Sequence, residues 1–535
     1  MDRRVPTWLL AFGLGVALLA SAASARPNNE SGGTLRLLWG REPDSLDPAI
    51  ANGDVGSWLL LSATCATLFT TVSDPDTGKP RVVGEVVRSF ARSNVGRTYT
   101  FELKRTFRFH TGERVTARSF VRAFNRDALI KIPTRSREIH SGVVTRGFIQ
   151  DIVGAIAVIR GRAKRISGVQ ALGRYRLRIR LKRAARDFPA RLTMPYFCPI
   201  SAGTPNRPID EPAGSGPYWL ADRAPNRRII LERNPYYRGG RTANPDHIVW
   251  TIQNDSRARL RAMERGEHDF LLVFDYPDTV VRDLVADYGP LNRPGGQVLR
   301  PSFSNFKLSF TFNEQRRAFK GAGQAPLKKA INYVIDRPAL ARARAGPLAF
   351  LRSDRLLPEA LSDSRRLYPL GGTDPVMAER WLARTRWKPP KLHLYTTSFA
   401  FHVKTAEVFI YNMRQLGIEV EPHYFEFLEL QERLITPGEP WDVSTGGGIG
   451  SGTAAYPDPA ATFLPDLRGT RWEARVNAAN GVASETARAK AWADLEADLM
   501  STDPPVAAYA DWRPLYFVSR NFGCWGAGLG DVCKK

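Results

Sequence analysis

The chain has 535 residues, a formal net charge of +24 at pH 7 and a hydrophobic content of 43%. This length predicts two or three domains, because single hydrophobic cores stop growing at about 250–300 residues. The composition excludes a mainly disordered chain, which could not bury enough apolar surface, and it also excludes a collagen-like one.

The start of the chain has the pattern of a secretory signal peptide over residues 1–25. Arg3 and Arg4 supply a positive start, and an apolar run from Trp8 to Ala20 follows. That run is shorter than the about 20 residues that a membrane-spanning helix needs. Small residues then favour cleavage before Arg26, which predicts a location in the periplasmic space or on the outer face of the cytoplasmic membrane. The alternative interpretation is an N-terminal membrane anchor; we expect no lipid anchor, because no cysteine directly follows the run.

Strands and helices alternate along the rest of the chain. Thr116 is a good N-cap for a helix in which Phe120, Ala123 and Phe124 share one face. The predicted strands are 34–39, 99–103, 174–183, 229–232, 248–252, 270–274, 307–313 and 418–422. The predicted helices are 58–71, one that starts at 116, 257–264, 326–336, 376–385, 404–416 and 484–500. This alternation predicts α/β lobes with crossover connections.

The segment 174–183 is the most basic part of the chain, and it alternates strictly between apolar and basic residues. Successive side chains of a strand point to opposite faces, so the segment predicts a half-buried strand with a basic outer face. That face could bind phosphate or anionic envelope polymers. We favour the alternative interpretation, which is an ordinary solvated face.

The chain contains four cysteines, Cys65, Cys198, Cys524 and Cys533. An even count in an exported protein predicts two disulfides. A local bond between Cys524 and Cys533 would leave Cys65 with Cys198, but three pairings are open and the sequence does not choose among them. We expect no metal and no cofactor, because no C-x-x-C occurs and the histidines are scattered.

Common catalytic signatures are absent from the sequence. There is no G-x-S-x-G elbow, no H-E-x-x-H zinc motif and no G-x-x-x-x-G-K-[ST] phosphate loop. The glycine-rich run Gly446–Gly452 lacks the lysine that would bind phosphate, so we interpret it as either a mobile loop or a loop that lines the ligand. We therefore predict no catalytic residues.

Seven short motifs, taken in chain order, resemble one protein family. They are Gly33-Thr34-Leu35, Pro43–Pro48 (P-D-S-L-D-P), Tyr99–Leu103 with Phe107–Ala117, Gly214–Tyr218 (G-S-G-P-Y), Arg233–Tyr237 (R-N-P-Y-Y), Gly266–Asp269 (G-E-H-D) and Ala330–Arg337 (A-I-N-Y-V-I-D-R). The family is the extracytoplasmic solute-binding proteins of ABC importers, peptide/nickel-binding family 5, of the dipeptide/oligopeptide-binding type. One departure is that His110-Thr111 stands where the family has an aspartate.

The resemblance implies an α/β, periplasmic-binding-protein-like fold of type II, cluster C-like, with two lobes and an extra inserted domain. Lobe I is expected at 33–75, 200–299 and 510–535, the inserted domain at 76–199, and lobe II at 300–509. A ligand would lie between the lobes and be enclosed when they close about their hinge.

A second departure concerns the ligand. In peptide-binding members an acidic residue, four positions before a proline, pairs with the ammonium group of the peptide; counted back from Pro459, that position is Ala455 here. A buried ammonium group without a carboxylate partner costs roughly several kcal/mol. The resemblance therefore implies that Asp458, Asp54 or Asp275 replaces the acid, or that the ligand has no free amino terminus there.

The resemblance implies a non-enzymatic receptor, a monomer that captures a solute, with a peptide as the first candidate, and delivers it to the transmembrane subunits of an ABC permease without binding nucleic acid. The alternatives are a non-peptide solute (an anion or a chelate), a secreted hydrolase and an envelope protein that binds anionic polymers. Seven residues are expected to contact the ligand, although each could instead have a structural role. They are Asp54, Asp275, Tyr276, Phe425, Phe427, Tyr456 and Asp458.

Overall fold

The computed structural model describes most of the chain after the predicted signal peptide. The described residues are 32–51, 55–73, 80–133, 138–140, 149–186, 188–242, 244–273, 276–289, 298–299, 306–357, 365–436, 438–445, 472–520, 522–525 and 532–534. The predicted signal peptide, the run Gly446–Gly452, Ala455, and the candidate ligand contacts Asp54, Asp275, Tyr456 and Asp458 lie outside them.

Strands and helices alternate through the described residues. The strands are β1 (Thr34–Trp39), β2 (Phe69–Ser73), β3 (Pro80–Gly84), β4 (Val87–Ser93), β5 (Thr98–Leu103), β6 (Lys131–Pro133), β7 (Glu138–His140), β8 (Val169–Ala171), β9 (Arg176–Arg180), β10 (Tyr218–Ala224), β11 (Arg228–Arg233), β12 (His247–Ile252), β13 (Phe270–Val273), β14 (Val298–Leu299), β15 (Phe306–Phe312), β16 (Phe350–Arg352), β17 (Lys391–Thr397), β18 (Glu419–Phe425), β19 (Val443–Ser444), β20 (Val506–Trp512), β21 (Leu515–Val518), β22 (Phe522–Trp525) and β23 (Val532–Lys534). The α-helices are α1 (Val55–Thr64), α2 (Ala117–Leu129), α3 (Ala155–Ile159), α4 (Phe188–Arg191), α5 (Ser256–Glu264), α6 (Asp278–Tyr288), α7 (Ala325–Val334), α8 (Arg337–Arg342), α9 (Pro375–Leu382), α10 (Ala400–Gln415), α11 (Phe427–Ile435), α12 (Trp472–Gly481) and α13 (Glu485–Thr502).

The predicted helix over 58–71 is wrong in its second half, because α1 ends at Thr64 and β2 begins at Phe69. The carbonyl oxygen of Thr64 accepts hydrogen bonds from the backbone N–H groups of Ser215 and Gly216, at 2.9 and 2.8 Å. A segment that is distant in sequence thus binds the last carbonyl group of α1. The β-branched residues that follow pair with β3 as a strand instead.

Lobe I is built on a seven-stranded sheet with the strand order β10-β11-β12-β1-β13-β21-β14. β1 lies parallel to both of its neighbours, with Leu37 opposite Trp250 on β12 and opposite Phe270 on β13. The carboxyl ends of these three strands therefore open at the same edge of the sheet.

Lobe II is built on a six-stranded sheet with the strand order β16-β20-β15-β19-β17-β18. β17 lies parallel to both β18 and β19, while β15 and β16 run antiparallel to β20. In sequence the chain passes from lobe I to lobe II between β14 and β15, and it returns between β20 and β21. At the return, the N–H group of Arg513 donates to the carbonyl oxygen of Ala349 at 2.7 Å.

A third unit has its own core around the four-stranded sheet β4-β5-β9-β8 and helices α2 and α3. On β9, Leu177 and Ile179 are buried, as the alternation predicts. The basic face makes contacts within the unit: Arg176 pairs with Glu102 at 2.5 Å, and Arg178 donates to Gln170. We keep the predicted domain boundaries as a proposal that the strand membership of the three sheets supports.

Several of the motif residues form hydrogen bonds or close contacts with backbone atoms. Asn234 of R-N-P-Y-Y donates from its side chain to the carbonyl oxygen of Gly216 at 2.9 Å. A Cβ atom on Gly216 would lie 2.5 Å from the carbonyl oxygen of Ala63, so only glycine fits in this turn. Where the family has an aspartate, the Nδ1 atom of His110 accepts a hydrogen bond from the N–H group of Gly214 at 3.2 Å. The imidazole thus binds the backbone at the start of the G-S-G-P-Y motif.

A disulfide joins Cys65 and Cys198, which are 133 residues apart in sequence. It links the segment after α1 to the third unit, so it connects that unit to lobe I. The antiparallel pairing of β22 and β23 places Cys524 opposite Cys533. A bond between these two cysteines stays a prediction.

Candidate functional site

The carboxyl ends of the parallel strands in the two lobes face each other. Arg41 follows the carboxyl end of β1, and Phe399 follows the carboxyl end of β17. The guanidinium carbon of Arg41 lies 4.8 Å from the centre of the Phe399 ring, so the two lobes meet at this point. In open α/β sheets, ligands bind outside the carboxyl ends of the strands. This contact therefore marks the candidate ligand-binding cleft.

On the lobe I side, a buried arginine organises the ends of the strands. Arg259 of α5 donates from Nη1 to the backbone oxygens of Gln253 and Asn254, at 2.8 and 3.0 Å. These two residues directly follow β12, so Arg259 fixes the loop that borders the cleft. A Cβ atom on Gly40 would lie 2.9 Å from the same Nη1 atom, so the chain after β1 passes directly over the guanidinium group.

Tyr276, one of the predicted ligand contacts, is packed into this arrangement. It is 2% exposed, and its hydroxyl accepts a hydrogen bond from the Nε of Arg259 at 3.1 Å and donates to the carbonyl oxygen of Ser256 at 3.2 Å. Its ring also lies under the guanidinium group of Arg259. These contacts support a role for Tyr276 in positioning the loops of lobe I.

On the lobe II side, α10 begins directly beside the contact with Arg41. His402, in the first turn of this helix, has its Nδ1 atom 2.5 Å from the hydroxyl oxygen of Thr397. Burial lowers the pKa of His402 well below its ordinary value, and the nearby guanidinium group of Arg344 lowers it further. The imidazole is therefore neutral at physiological pH. The ring of Phe401 lies under Arg344, at 4.4 Å from the guanidinium carbon.

The end of β18 carries a second aromatic group. Phe425 is half-buried, and its ring centre lies 4.9 Å from that of Tyr395. The guanidinium carbon of Arg433 lies over the Phe425 ring at 4.6 Å. Burial and a hydrogen bond to Glu439 raise the pKa of Tyr395 to about 12, so its hydroxyl stays protonated. Phe427 begins α11, directly after this strand.

The lobes also touch beside α6. Asp278, the first residue of α6 in lobe I, lies against Gly346 of lobe II, where a Cβ atom would come within 1.8 Å of the carboxylate. Gly346 has a φ of +77°. Both the space and the backbone conformation thus require glycine at this contact.

The third unit is joined to lobe II as well as to lobe I. Arg183 pairs with Glu473 of α12 at 2.6 Å, and Arg186 donates to the carbonyl oxygen of Gly481 at 2.9 Å. These bonds connect the end of the basic segment to the helix pair α12 and α13. Arg183, the last residue of that segment, and Arg186, three residues after it, therefore act as contacts between units.

The structure places the three described candidates, Tyr276, Phe425 and Phe427, at or just after the carboxyl ends of β13 and β18. Tyr276 belongs to lobe I and the two phenylalanines to lobe II. The contact between Arg41 and Phe399 was not predicted from the sequence. The sequence places Arg41 just after the predicted strand 34–39 and Phe399 just before the predicted helix 404–416. That these two residues meet depends on the arrangement of the lobes.

Within the described parts of the chain, one group of side chains is close enough to share a metal ion. It consists of His393, Glu421 and His423 on β17 and β18, and it shares no residue with the contact between Arg41 and Phe399. The histidines are scattered along the sequence, but the pairing of β17 and β18 brings two of them together. The helices of the described residues include none that is long and apolar enough to cross a bilayer.

Comparisons with known proteins give a consistent family. The model for bacterial extracellular solute-binding proteins, family 5 Middle, matches residues 81–473. Heme-binding protein A of Haemophilus influenzae is 22% identical over 533 residues, covering 92% of this chain and 90% of that protein. The dipeptide-binding protein of Pseudomonas aeruginosa is 22% identical over 305 residues, covering 54% of this chain and 53% of that protein.

The fold agrees with solved structures. The ABC transporter-associated periplasmic binding protein DppA from Helicobacter pylori, solved in complex with the peptide STSA, superposes with a TM-score of 0.72. The superposition covers 95% of this chain and 99% of that one, at 18% sequence identity. This similarity confirms the two-lobed α/β fold.

Proposed function

The chain belongs to family 5 of the bacterial extracellular solute-binding proteins, and on that premise we propose that it captures a peptide between its lobes and delivers it to an ABC permease. The observation that carries the proposal is the contact of Arg41 with Phe399. It places a cation and an aromatic ring from different lobes together at the carboxyl ends of both parallel sheets. A ligand bound there touches both lobes, so its binding favours the closed arrangement.

The cellular setting follows from the same proposal. The protein is exported by the signal peptide over residues 1–25 and acts outside the cytoplasm as a monomer. Its partners are the solute and the transmembrane subunits of the permease, and it binds no nucleic acid. It acts by binding and release, without catalysis. Relatives that are named as dipeptide-binding and di/tripeptide-binding proteins support the choice of a peptide.

Arg41 suggests how the carboxyl end of the peptide is held. Its side chain is exposed and has an aromatic ring beneath it, so a carboxylate can reach the guanidinium group from the cleft. Charge-assisted hydrogen bonds of this kind are shorter and stronger than neutral ones. For the amino end, Asp54, Asp275 and Asp458 remain our proposed replacements for the acid that is missing at Ala455.

A non-peptide anion or chelate is the second candidate, because the same guanidinium group would bind any carboxylate. Relatives named as heme-binding and nickel-binding proteins show that the family's members differ in their ligands. The two candidates differ in one respect that can be tested. A peptide ligand presents an ammonium group as well as a carboxylate, whereas a simple anion does not.

Native mass spectrometry of the mature protein, purified gently from an exporting host, tests the proposal. We expect a series of bound masses that fragment as peptides. A single bound mass that is not a peptide would move the ligand to the second candidate class. The absence of any bound mass, together with no thermal stabilisation by a broad peptide library, would contradict the peptide proposal. A peptide at 100 times its dissociation constant should stabilise the fold by about 2.7 kcal/mol.

A matched pair of variants tests the role of Arg41. We expect Arg41→Gln to weaken peptide binding at least about tenfold, because a hydrogen bond to a charged group contributes about 1.5–3 kcal/mol. Arg118→Gln is the control, since Arg118 is an exposed arginine on α2, in the third unit. Isothermal titration with the peptides found by mass spectrometry measures both. Equal affinities in the two variants would remove Arg41 from the proposed site.

A further inference from the structure

Three side chains on the lobe II sheet lie close together, and we name them the imidazole cluster: His393 on β17, and Glu421 and His423 on β18. The parallel pairing of these strands places His393 opposite Glu421. Residues two apart along a strand point to the same face, so His423 stands beside Glu421 on that face. The register of one strand pair therefore assembles the cluster.

The possible ligand atoms all lie within 4.8 Å of one another, and two of the three distances match those around a tetrahedral ion. The Nδ1 atom of His393 lies 3.1 Å from the Nε2 atom of His423, and this nitrogen lies 3.4 Å from the Oε1 atom of Glu421. Zinc–nitrogen and zinc–oxygen bonds of about 2.0–2.2 Å in tetrahedral geometry place neighbouring ligand atoms about 3.3 Å apart. One ion can therefore sit between the three atoms without a large rearrangement.

The surroundings of the cluster orient its ligands. The Nζ atom of Lys391 donates a hydrogen bond to the Oε2 atom of Glu421 at 2.9 Å. The other oxygen of that carboxylate, Oε1, is therefore the one that faces His423. The ring of Tyr395 packs against the ring of His423, with centres 5.1 Å apart. Such contacts of the outer shell fix the orientation of metal ligands.

Solvent can reach the cluster. The side chains of His423 and Glu421 are 32% and 42% exposed, so a water molecule can complete the coordination. The two imidazole nitrogens face each other at 3.1 Å, where they share one hydrogen bond whose direction depends on the tautomer. A cation between them satisfies both lone pairs and the carboxylate at once.

We propose that the imidazole cluster binds one divalent transition-metal ion, through His393, His423 and Glu421. Imidazole ligands select zinc, nickel and copper over magnesium or calcium, which prefer oxygen. The ion would tie the edge strand β18 to β17, and β18 ends at Phe425 near the cleft. The cluster shares no residue with the contact between Arg41 and Phe399, and metal binding goes beyond the proposed receptor function.

The test uses the full mature protein, prepared without a histidine tag and dialysed against a chelator. We expect isothermal titration with zinc to give one bound equivalent, and thermal unfolding to shift upward with zinc but not with magnesium. His393→Gln and His423→Gln should each weaken zinc binding at least tenfold. His247→Gln is the control, because His247 is an exposed histidine on β12 in lobe I, and it should leave zinc affinity unchanged.

Three outcomes would overturn the proposal. They are no binding by the wild-type protein, unchanged zinc affinity in the double variant of His393 and His423, or an equal loss in the His247→Gln control. Thermal unfolding without metal shows whether each variant is folded. If a histidine variant fails to fold, Glu421→Gln replaces it, and it should weaken zinc binding with the same one-to-one stoichiometry. None of these results depends on the presence of a peptide, so failure here is distinct from failure of the receptor proposal.

Discussion

Arg126 of α2 donates hydrogen bonds to both carboxylate oxygens of Asp47, at 2.5 and 2.6 Å, and both side chains are almost completely buried. Asp47 is the acid of the P-D-S-L-D-P motif in lobe I, whereas α2 belongs to the third unit. The same carboxylate accepts from the N–H groups of Ala49 and Ile209, at 3.0 and 3.1 Å. One side chain thus joins three segments of the chain.

We expect Asp47→Ala to lower the free energy of unfolding by about 3–5 kcal/mol, because it leaves the guanidinium group of Arg126 buried without its partner. Urea denaturation measures the loss. The control is Asp222→Ala, which removes the ion pair of Asp222 with Arg228, a pair whose side chains are about half exposed. Removal of such a pair should cost no more than about 1 kcal/mol. Similar losses of unfolding free energy in the two variants would show that the buried pair stabilises the fold no more than an exposed pair does.

The disulfide between Cys65 and Cys198 should contribute strongly to stability, because it closes a loop of 133 residues between lobe I and the third unit. We expect the double substitution of Cys65 and Cys198 by alanine to cost about 2–5 kcal/mol. Thermal unfolding, with and without a reductant, measures this effect. Reduction should lower the melting temperature of the wild-type protein more than that of the variant. Equal responses would mean that another bond carries the stabilisation.

Gly346→Ala should disturb the contact between the lobes, since its Cβ atom would fall 1.8 Å from the carboxylate of Asp278. We expect a loss of about 1–3 kcal/mol from the overlap. Gly266→Ala is the matched control, because Gly266 also follows the end of a helix and has a similar φ of +71°, but no atom lies within 4 Å of its Cβ position. Both variants pay the cost of the left-handed backbone, so the difference in their unfolding free energies isolates the clash. No difference would show that the lobes separate freely here.

His402 should make the protein less stable in acid. Its pKa in the folded state lies well below the ordinary value of 6.5, because the side chain is buried and lies near the guanidinium group of Arg344. Below pH 6.5 the unfolded chain takes up a proton that the folded protein does not, so stability falls as pH decreases. The slope for one such group approaches about 1.4 kcal/mol per pH unit.

The measurement is urea denaturation between pH 7 and pH 5. We expect His402→Gln to have a shallower loss of stability over this range than the wild-type protein. His247→Gln, which changes an exposed histidine, should keep the slope of the wild type. Unchanged slopes in all three proteins would contradict a neutral, buried His402.

The family motifs could be recognised from the sequence, and the motif residues described by the structure have structural roles. Asp269 of G-E-H-D shows this: burial raises its pKa, but hydrogen bonds from Arg36 and Ser519 outweigh burial and hold the pKa below its ordinary value. Likewise, Gly216 is required by the close approach of α1. Such residues identify the fold, yet Asp269 and Gly216 contact other parts of the protein frame, namely Arg36, Ser519 and the end of α1. They therefore support the family and leave the ligand open.

The sequence by itself determined the strands and helices whose pattern is local. The alternation over 174–183 predicted the buried side of β9 correctly, and Ser484 begins α13 as its N-cap. Prediction from the sequence failed where a distant segment intervenes, as at Thr64. There the backbone of Ser215 binds the end of a helix that local propensity would continue. Period and capping are properties of neighbours in sequence, so they can be read without the fold.

Only the tertiary structure decided which distant residues meet. The contact of Arg41 with Phe399 depends on how the two lobes face each other, and the proximity of His393 and His423 depends on the register of β17 and β18. A shift of one residue in that register would turn one histidine to the opposite face of the sheet. Strand register and lobe orientation arise from packing over the whole chain, so no local pattern encodes them.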